Sequence, residues 1–97
     1  MIGNYPPRRC GIATFTRDTF EALKKEAPQA AWRLAAMEDR DHPHAYPTDV
    51  TDVIPETSLE GYDYLAHELN RWGAEIVFLQ HEFGIFGGDH GAFILRT

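Results

Sequence analysis

Residues 59–80, LEGYDYLAHELNRWGAEIVFLQ, join a helical pattern to a continuous apolar run, and this pairing decides the fold class. The apolar residues of the first part recur with the 3.6-residue period of a helix: Leu59, Tyr62, Leu65, Ala66, Leu69 and Trp72. Thr57 and Glu60 have the spacing of a capping box, so the helix is expected to begin near Thr57 or Ser58. Gly73 is a natural C-cap because glycine adopts a positive φ at little cost.

The apolar run IVFL at residues 76–79 is typical of a parallel strand that is covered on both faces. The remainder of the chain alternates in the same way. Further strands are predicted at residues 1–4, 31–37 and 53–54. Further helices are predicted at residues 12–26, with Ile12, Phe15, Thr19, Ala22 and Leu23 on the apolar face, and at residues 89–96. This alternation predicts a three-layer, Rossmann-like α/β fold around a parallel sheet of three or four strands.

The composition is that of an ordinary globular protein. The chain has 97 residues, of which 43% are hydrophobic and 25% charged. A chain of this length forms at most one domain or part of one. No apolar run approaches the roughly 20 residues of a membrane span, and the start of the chain lacks a signal-peptide pattern. With a single cysteine, Cys10, which fits a reducing compartment, we expect a cytoplasmic protein. The net charge of −6, without clustered Lys and Arg, argues against nucleic acid as a partner.

Two loops follow predicted strands at the edge where parallel sheets bind ligands. In the first loop, Gly11 lies where the chain enters a helix, which offers unpaired N–H groups and the positive end of a dipole to a phosphate. Arg8 and Arg9 could add charge-assisted contacts, and Ile12 belongs to the same candidate phosphate-binding set as Arg9 and Gly11. The alternative is that Gly11 only permits a tight turn and that the arginines are solvated.

The second loop, QHEFGIFGG at residues 80–88, directly follows the most apolar predicted strand. His81 is the candidate catalytic residue, because an imidazole at this edge can donate a hydrogen bond to a sugar hydroxyl or exchange a proton. Glu82, Gly87 and Gly88 complete the candidate substrate-binding set, since the glycines leave room for a ligand near the backbone. The alternative is that His81 only bonds a backbone carbonyl.

Neither a metal site nor a cysteine nucleophile is expected. Four candidate metal ligands are close in sequence: His81, Glu82, Asp89 and His90. No pair among them has a familiar helical ligand spacing. Cys10 precedes a predicted helix, where its thiolate would be stabilised, but no base can be assigned to it.

Two blocks of the sequence resemble a known family. Residues 2–15, IGNYPPRRCGIATF, resemble the opening of a group of bacterial family 4 (group 1) glycosyltransferases. Residues 79–88, LQHEFGIFGG, resemble the block that follows the fourth strand in those enzymes. The order of elements between the blocks also fits, so the similarity spans essentially all 97 residues.

The resemblance implies a GT-B architecture, in which two Rossmann-like domains enclose the active site in a cleft. Such hexosyltransferase-type enzymes move a sugar from a nucleotide-sugar donor to a glycan or lipid-type acceptor with retention of configuration, and typically need no metal or cofactor. In the family, a glycine loop that corresponds to Gly11 approaches the donor phosphates, and a histidine that corresponds to His81 approaches the transferred sugar. Residues 1–97 are then expected to be part of the N-terminal, acceptor-side domain. The donor-binding domain, with its basic phosphate clamp and its Glu-x7-Glu motif, is absent from them, so we do not expect this chain alone to be active.

Two other functions are compatible with these residues. One is a nucleotide-sugar epimerase of the same architecture, and the other is a non-catalytic module that binds a sugar or nucleotide. A basic clamp and paired glutamates further along the reading frame would favour the transferase. A natural stop at Thr97 would favour the module.

Overall fold

The computed structural model describes residues 1–8, 10–38, 45–80 and 86–96. It contains short strands, two α-helices and a terminal 3₁₀ helix. In chain order these are β1 (Ile2–Gly3), α1 (Gly11–Glu26), β2 (Ala35–Glu38), β3 (Asp52–Pro55), α2 (Leu59–Trp72) and the 3₁₀ helix (Asp89–Arg96). No helix in the described part of the chain is long and apolar enough to cross a bilayer.

The sheet is parallel, as predicted. β2 lies in the middle and pairs with β1 on one side and with β3 on the other. Residues 78–80 continue the sheet on the free side of β1: the Ile2 N–H donates to the Phe78 carbonyl at 2.9 Å, and the Gln80 N–H donates to the Ile2 carbonyl at 2.9 Å. A single parallel bridge therefore pairs Ile2 with Leu79. The order across the sheet is β3, β2, β1 and residues 78–80.

The two α-helices cover opposite faces of this sheet. Successive side chains of a strand point to opposite sides, so each face carries its own cluster of buried residues. One face is packed against α2 and carries the larger cluster of buried residues: Ile2, Ala35, Met37, Ile54, Tyr62, Leu65 and Phe86. The other face is packed against α1 and carries the second cluster: Met1, Tyr5, Phe20, Leu34 and Ala36. The predicted three-layer α/β arrangement is confirmed.

The predicted apolar face of α1 is right only in part, since Ile12 and Leu23 pack against the core clusters. The buried residues are Ala13, Thr16 and Phe20, whereas Phe15 is 61% exposed. Both sets fit a helical period, and the predicted face did not include Thr16. Its hydroxyl donates to the Ile12 carbonyl at 2.9 Å within the helix, so burying it leaves no unsatisfied group. Gly3 of β1, which has no side chain, lets Thr16 approach the sheet closely.

The predicted boundaries of α2 are confirmed, but the predicted capping box is wrong. Gly73 is the C-cap, with a left-handed φ of 82° and its N–H bonded to the Leu69 and Asn70 carbonyls. The N-cap, however, is Ser58, whose hydroxyl accepts from the Gly61 N–H at 3.1 Å. Thr57 lies in the preceding turn, so the predicted capping box with Glu60 does not form.

The run at residues 76–79 is not the covered strand that its composition predicted. Ile76 is 73% exposed and Val77 49% exposed, and only Leu79 forms a bridge. Similarly, β2 begins at Ala35 and not at residue 31. The physical reason is shared: β1 has only two strand residues, so the backbones of residues 31–33 and 76–77 have no strand between them to pair with.

Candidate functional site

The carboxyl ends of the strands meet at one edge of the sheet, which we call the carboxyl edge. β1 leads there into Asn4, β3 leads into Glu56, and Gln80 lies against Gly3. Ligands bind at this edge in open parallel sheets. The first candidate loop, from Asn4 to the start of α1, therefore begins beside the segment that leads into the second.

Gly11 lies at the N-terminus of α1, as the sequence predicted. Gly11 is the first residue of the helix, and a side chain built on it would meet no atom within 4 Å. The N–H groups of Gly11 and Ile12 have no hydrogen-bond partner among the described residues. Cys10 is the N-cap, and its Sγ accepts from the Ala13 N–H at 3.3 Å. Sequence reasoning missed this capping role because cysteine is not among the residues that usually cap helices.

Arg8 is held by the protein and is not a free phosphate ligand. Its Nη1 donates to the Asn4 Oδ1 at 3.2 Å and to the Met37 carbonyl at 3.3 Å, and lies 3.6 Å from the Glu56 Oε2. These partners follow or end three different strands, so the guanidinium ties the carboxyl edge together. The alternative of a solvated side chain is therefore wrong for Arg8, and the expected phosphate contact stays a prediction. Arg9 lies outside the described residues.

Tyr62 of α2 holds the end of the second loop through hydrogen bonds of its hydroxyl. Its side chain is fully buried, and its hydroxyl donates to the Glu56 carbonyl at 2.6 Å and accepts from the Gly87 N–H at 3.0 Å. Burial raises the pKa of this phenol, so it stays protonated. The sequence pattern had marked Tyr62 as an ordinary core residue, and no periodicity reveals a hydroxyl that joins two loops.

Gly87 and Gly88 have structural reasons to be glycine. A side chain at Gly87 would collide with the Glu56 carbonyl oxygen, and one at Gly88 would collide with the Phe93 ring. Gly88 also has a φ of +83°, which is strained for other residues. The expected room for a ligand is therefore filled by the protein's own atoms at these two positions.

The other candidate residues divide into two groups. His81 and Glu82 lie outside the described residues, and Gln80 is the last described position before them. Ile12 is half-buried, and its side chain packs against the cluster on the α2 face. Within the described ranges, no group of three or more His, Cys, Asp or Glu side chains is arranged to hold a metal.

A cleft of about 400 Å³ lies at the opposite, amino edge of the sheet, between residues 30–33 and 73–78. None of the candidate site residues lines it. At the carboxyl edge, residues 39–44 and 81–85, which follow β2 and Gln80, lie outside the described residues. We therefore base the candidate site on its unpaired donors and not on a cavity.

Replacing Tyr62 with phenylalanine should lower the free energy of unfolding by about 2 kcal/mol, because the Gly87 N–H and the Glu56 carbonyl both lose their partner while the ring stays in place. Chemical denaturation measures this loss. The matched control is Tyr64→Phe on the same helix, whose side chain is 52% exposed and whose loss should stay within about 0.5 kcal/mol. Equal losses in the two variants would show that the Tyr62 hydroxyl does not hold the loop.

No family model, curated protein or solved structure matches this chain. The fold class therefore rests on the geometry described above.

Proposed function

We propose that this chain is part of the acceptor-side domain of a retaining glycosyltransferase of GT-B architecture. In the complete enzyme it would move a hexosyl group from a nucleotide sugar to a glycan or lipid-type acceptor. One observation carries the proposal. The two blocks that resemble bacterial family 4 glycosyltransferases lead off neighbouring parallel segments, β1 and residues 78–80, at the same edge of the sheet.

The α1 N-terminus supplies the means to bind the donor diphosphate. The N–H groups of Gly11 and Ile12 are unpaired among the described residues, and a Cβ built on Gly11 would meet no atom within 4 Å. A helix of 16 residues adds the positive end of its dipole at the same place. Arg8 does not add to this charge because it is bound to the carboxyl edge.

His81 follows Gln80, whose N–H is bonded to Ile2 beside the carboxyl edge. We assign to His81 the positioning of the transferred sugar through a hydrogen bond to a hydroxyl, and to Glu82 a contact with the substrate. Leaving-group departure makes the sugar oxocarbenium-like, and a fixed donor holds that geometry without transferring a proton. The nucleotide sugar is a substrate in this scheme, and no cofactor or metal takes part.

The test uses a polypeptide in which this chain is joined to its donor-binding domain. Sugar transfer from a nucleotide sugar, with release of the nucleoside diphosphate and retention of configuration, is the expected activity. Conversion of the donor without any acceptor would identify an epimerase instead. Binding without turnover would identify a non-catalytic module.

Gly11→Asp sharpens this test. The structure leaves space for the side chain, and a carboxylate in the first turn favours the helix, so folding should be unaffected. The same carboxylate repels a diphosphate, and the KM for the donor should rise roughly tenfold, equivalent to about 1.4 kcal/mol. Gly11→Asn has the same shape without the charge and should keep a KM near that of the unmodified protein. If the KM is the same in both variants, the donor phosphates do not bind at the α1 N-terminus.

A further inference from the structure

The cleft at the amino edge has the form of a slot in the sheet. One wall is formed by residues 30–33, which lead into β2, and the other by residues 75–78. Met1 and Ile2 close its inner end. Both walls are already in register with β1: the Met1 amine donates to the Arg33 carbonyl at 2.8 Å, and the Ile2 N–H donates to the Phe78 carbonyl at 2.9 Å. The walls are therefore two neighbours of a strand, one on each side.

The walls present unpaired backbone groups to the slot. Among the described residues, the N–H groups of Arg33 and Phe78 have no hydrogen-bond partner, and neither do the carbonyls of Ala31 and Ile76. Backbone groups of this kind are satisfied in most proteins by a strand that lies between them. With a rise of about 3.3 Å per residue, a wall of four residues matches a strand of about four residues.

We propose that the slot receives an extended apolar strand of about four residues that continues β1 on the N-terminal side of Met1, joined to it by a peptide bond. The added residues are numbered backwards from Met1. In a parallel ladder, the N–H of the first added residue donates to the Ile76 carbonyl, and its carbonyl accepts from the Phe78 N–H. The second added residue makes the same two bonds to the Ala31 carbonyl and the Arg33 N–H. Their side chains point to opposite faces. The first meets Leu69 and Trp72 of α2, and the second meets Trp32 and Phe78, whose rings stack at 6.4 Å.

The chemistry of the slot favours an apolar occupant over a charged one. Ile76, Val77 and Phe78 are exposed in the absence of a strand beside them. Among the described residues that line the slot, Arg33 and Asp52 already pair with each other, since Arg33 Nη2 lies 2.9 Å from Asp52 Oδ2. Burial also lowers the pKa of the Met1 amine to about 6, and a peptide bond at this nitrogen keeps its hydrogen bond to Arg33 while it removes the charge.

The experiment compares three N-terminal extensions of the 97-residue chain. The first is Thr-Val-Ile-Val, the second is Gly-Ser-Gly-Ser, and the third is Thr-Val-Ile-Pro. All three remove the charge of the Met1 amine, so that effect cancels between them. The proline in the third stands next to Met1 and lacks the N–H that should bond Ile76, although the extension remains apolar. Hydrogen exchange of the Phe78 and Arg33 amides and the melting temperature are measured for each.

The Thr-Val-Ile-Val extension should slow exchange of both amides roughly 30-fold or more relative to the Gly-Ser extension. It should also raise the melting temperature by at least about 5 °C. The proline variant should lose most of this gain. Equal exchange in the first two proteins would overturn the proposal, and an undiminished gain in the proline variant would overturn the register. If free Thr-Val-Ile-Val peptide, at equimolar concentration with the unextended chain, protects both amides as well as the fused strand does, then the occupant is a separate peptide and the covalent continuation is wrong.

Discussion

In a polypeptide that joins this chain to its donor-binding domain, His81→Ala should lower turnover about 10²- to 10³-fold, which is the usual loss when a fixed hydrogen-bond donor is removed from a transition state. The reason is positional. The segment that leads into His81 is bonded to β1, since the Gln80 N–H donates to the Ile2 carbonyl. Loss of the imidazole should lower kcat more than it raises the KM for the donor, because the interaction strengthens as the bond to the leaving group breaks.

The matched control for this variant is His67→Ala, which removes an exposed imidazole from α2, far along the chain from the candidate loop. Its turnover should equal that of the unmodified enzyme. Thermal unfolding of both variants should also match the unmodified protein, which separates a loss of activity from a loss of folding. If His81→Ala keeps the turnover of the unmodified enzyme, His81 has no role in catalysis.

Phe20→Ala should lower the free energy of unfolding by about 3–5 kcal/mol, as expected when a large buried ring is removed from a core. Phe20 is the centre of the cluster between α1 and the sheet. Its ring makes edge contacts with Tyr5 and Trp32, with centroids 6.4 and 6.0 Å away, and the Lys24 ammonium lies over it at 5.1 Å. A loss of this size is a large share of the roughly 5–15 kcal/mol by which domains are stable.

Phe15→Ala on the same helix is the control, because it removes the same side chain from a position that is 61% exposed. We expect a loss within about 0.5 kcal/mol there, measured by the same denaturant titration. Should Phe20→Ala prevent folding altogether, Phe20→Leu keeps much of the volume and should show a smaller loss. If Phe15→Ala lowers the free energy of unfolding more than the Phe20 variants do, then the buried face of α1 is the one that contains Phe15.

The candidate site could be predicted only in part, and the reason differs from residue to residue. Gly11 at the start of a helix follows from a proline-rich loop that runs into an amphipathic pattern, both of which are local. The role of Arg8 could not be predicted, because two of its three partners, Met37 and Glu56, are distant in sequence. Tyr62 was placed in the core correctly, but its hydroxyl reaches Gly87, which lies 25 residues away.

Local interactions were sufficient for the sequence to determine the class of fold. The end of α2 at Gly73 depends on one residue that accepts a positive φ. The alternation of strands and helices leads to a parallel sheet because a helix between two strands returns the chain to the edge where the first strand began. Tertiary structure alone decided which face of α1 is buried, because Gly3 accepts Thr16 where the helical period fits two faces equally well. It also decided that residues 76–77 are exposed despite their composition. A segment becomes a strand only where a neighbouring strand pairs with its backbone, and β1 is too short to reach residues 76–77.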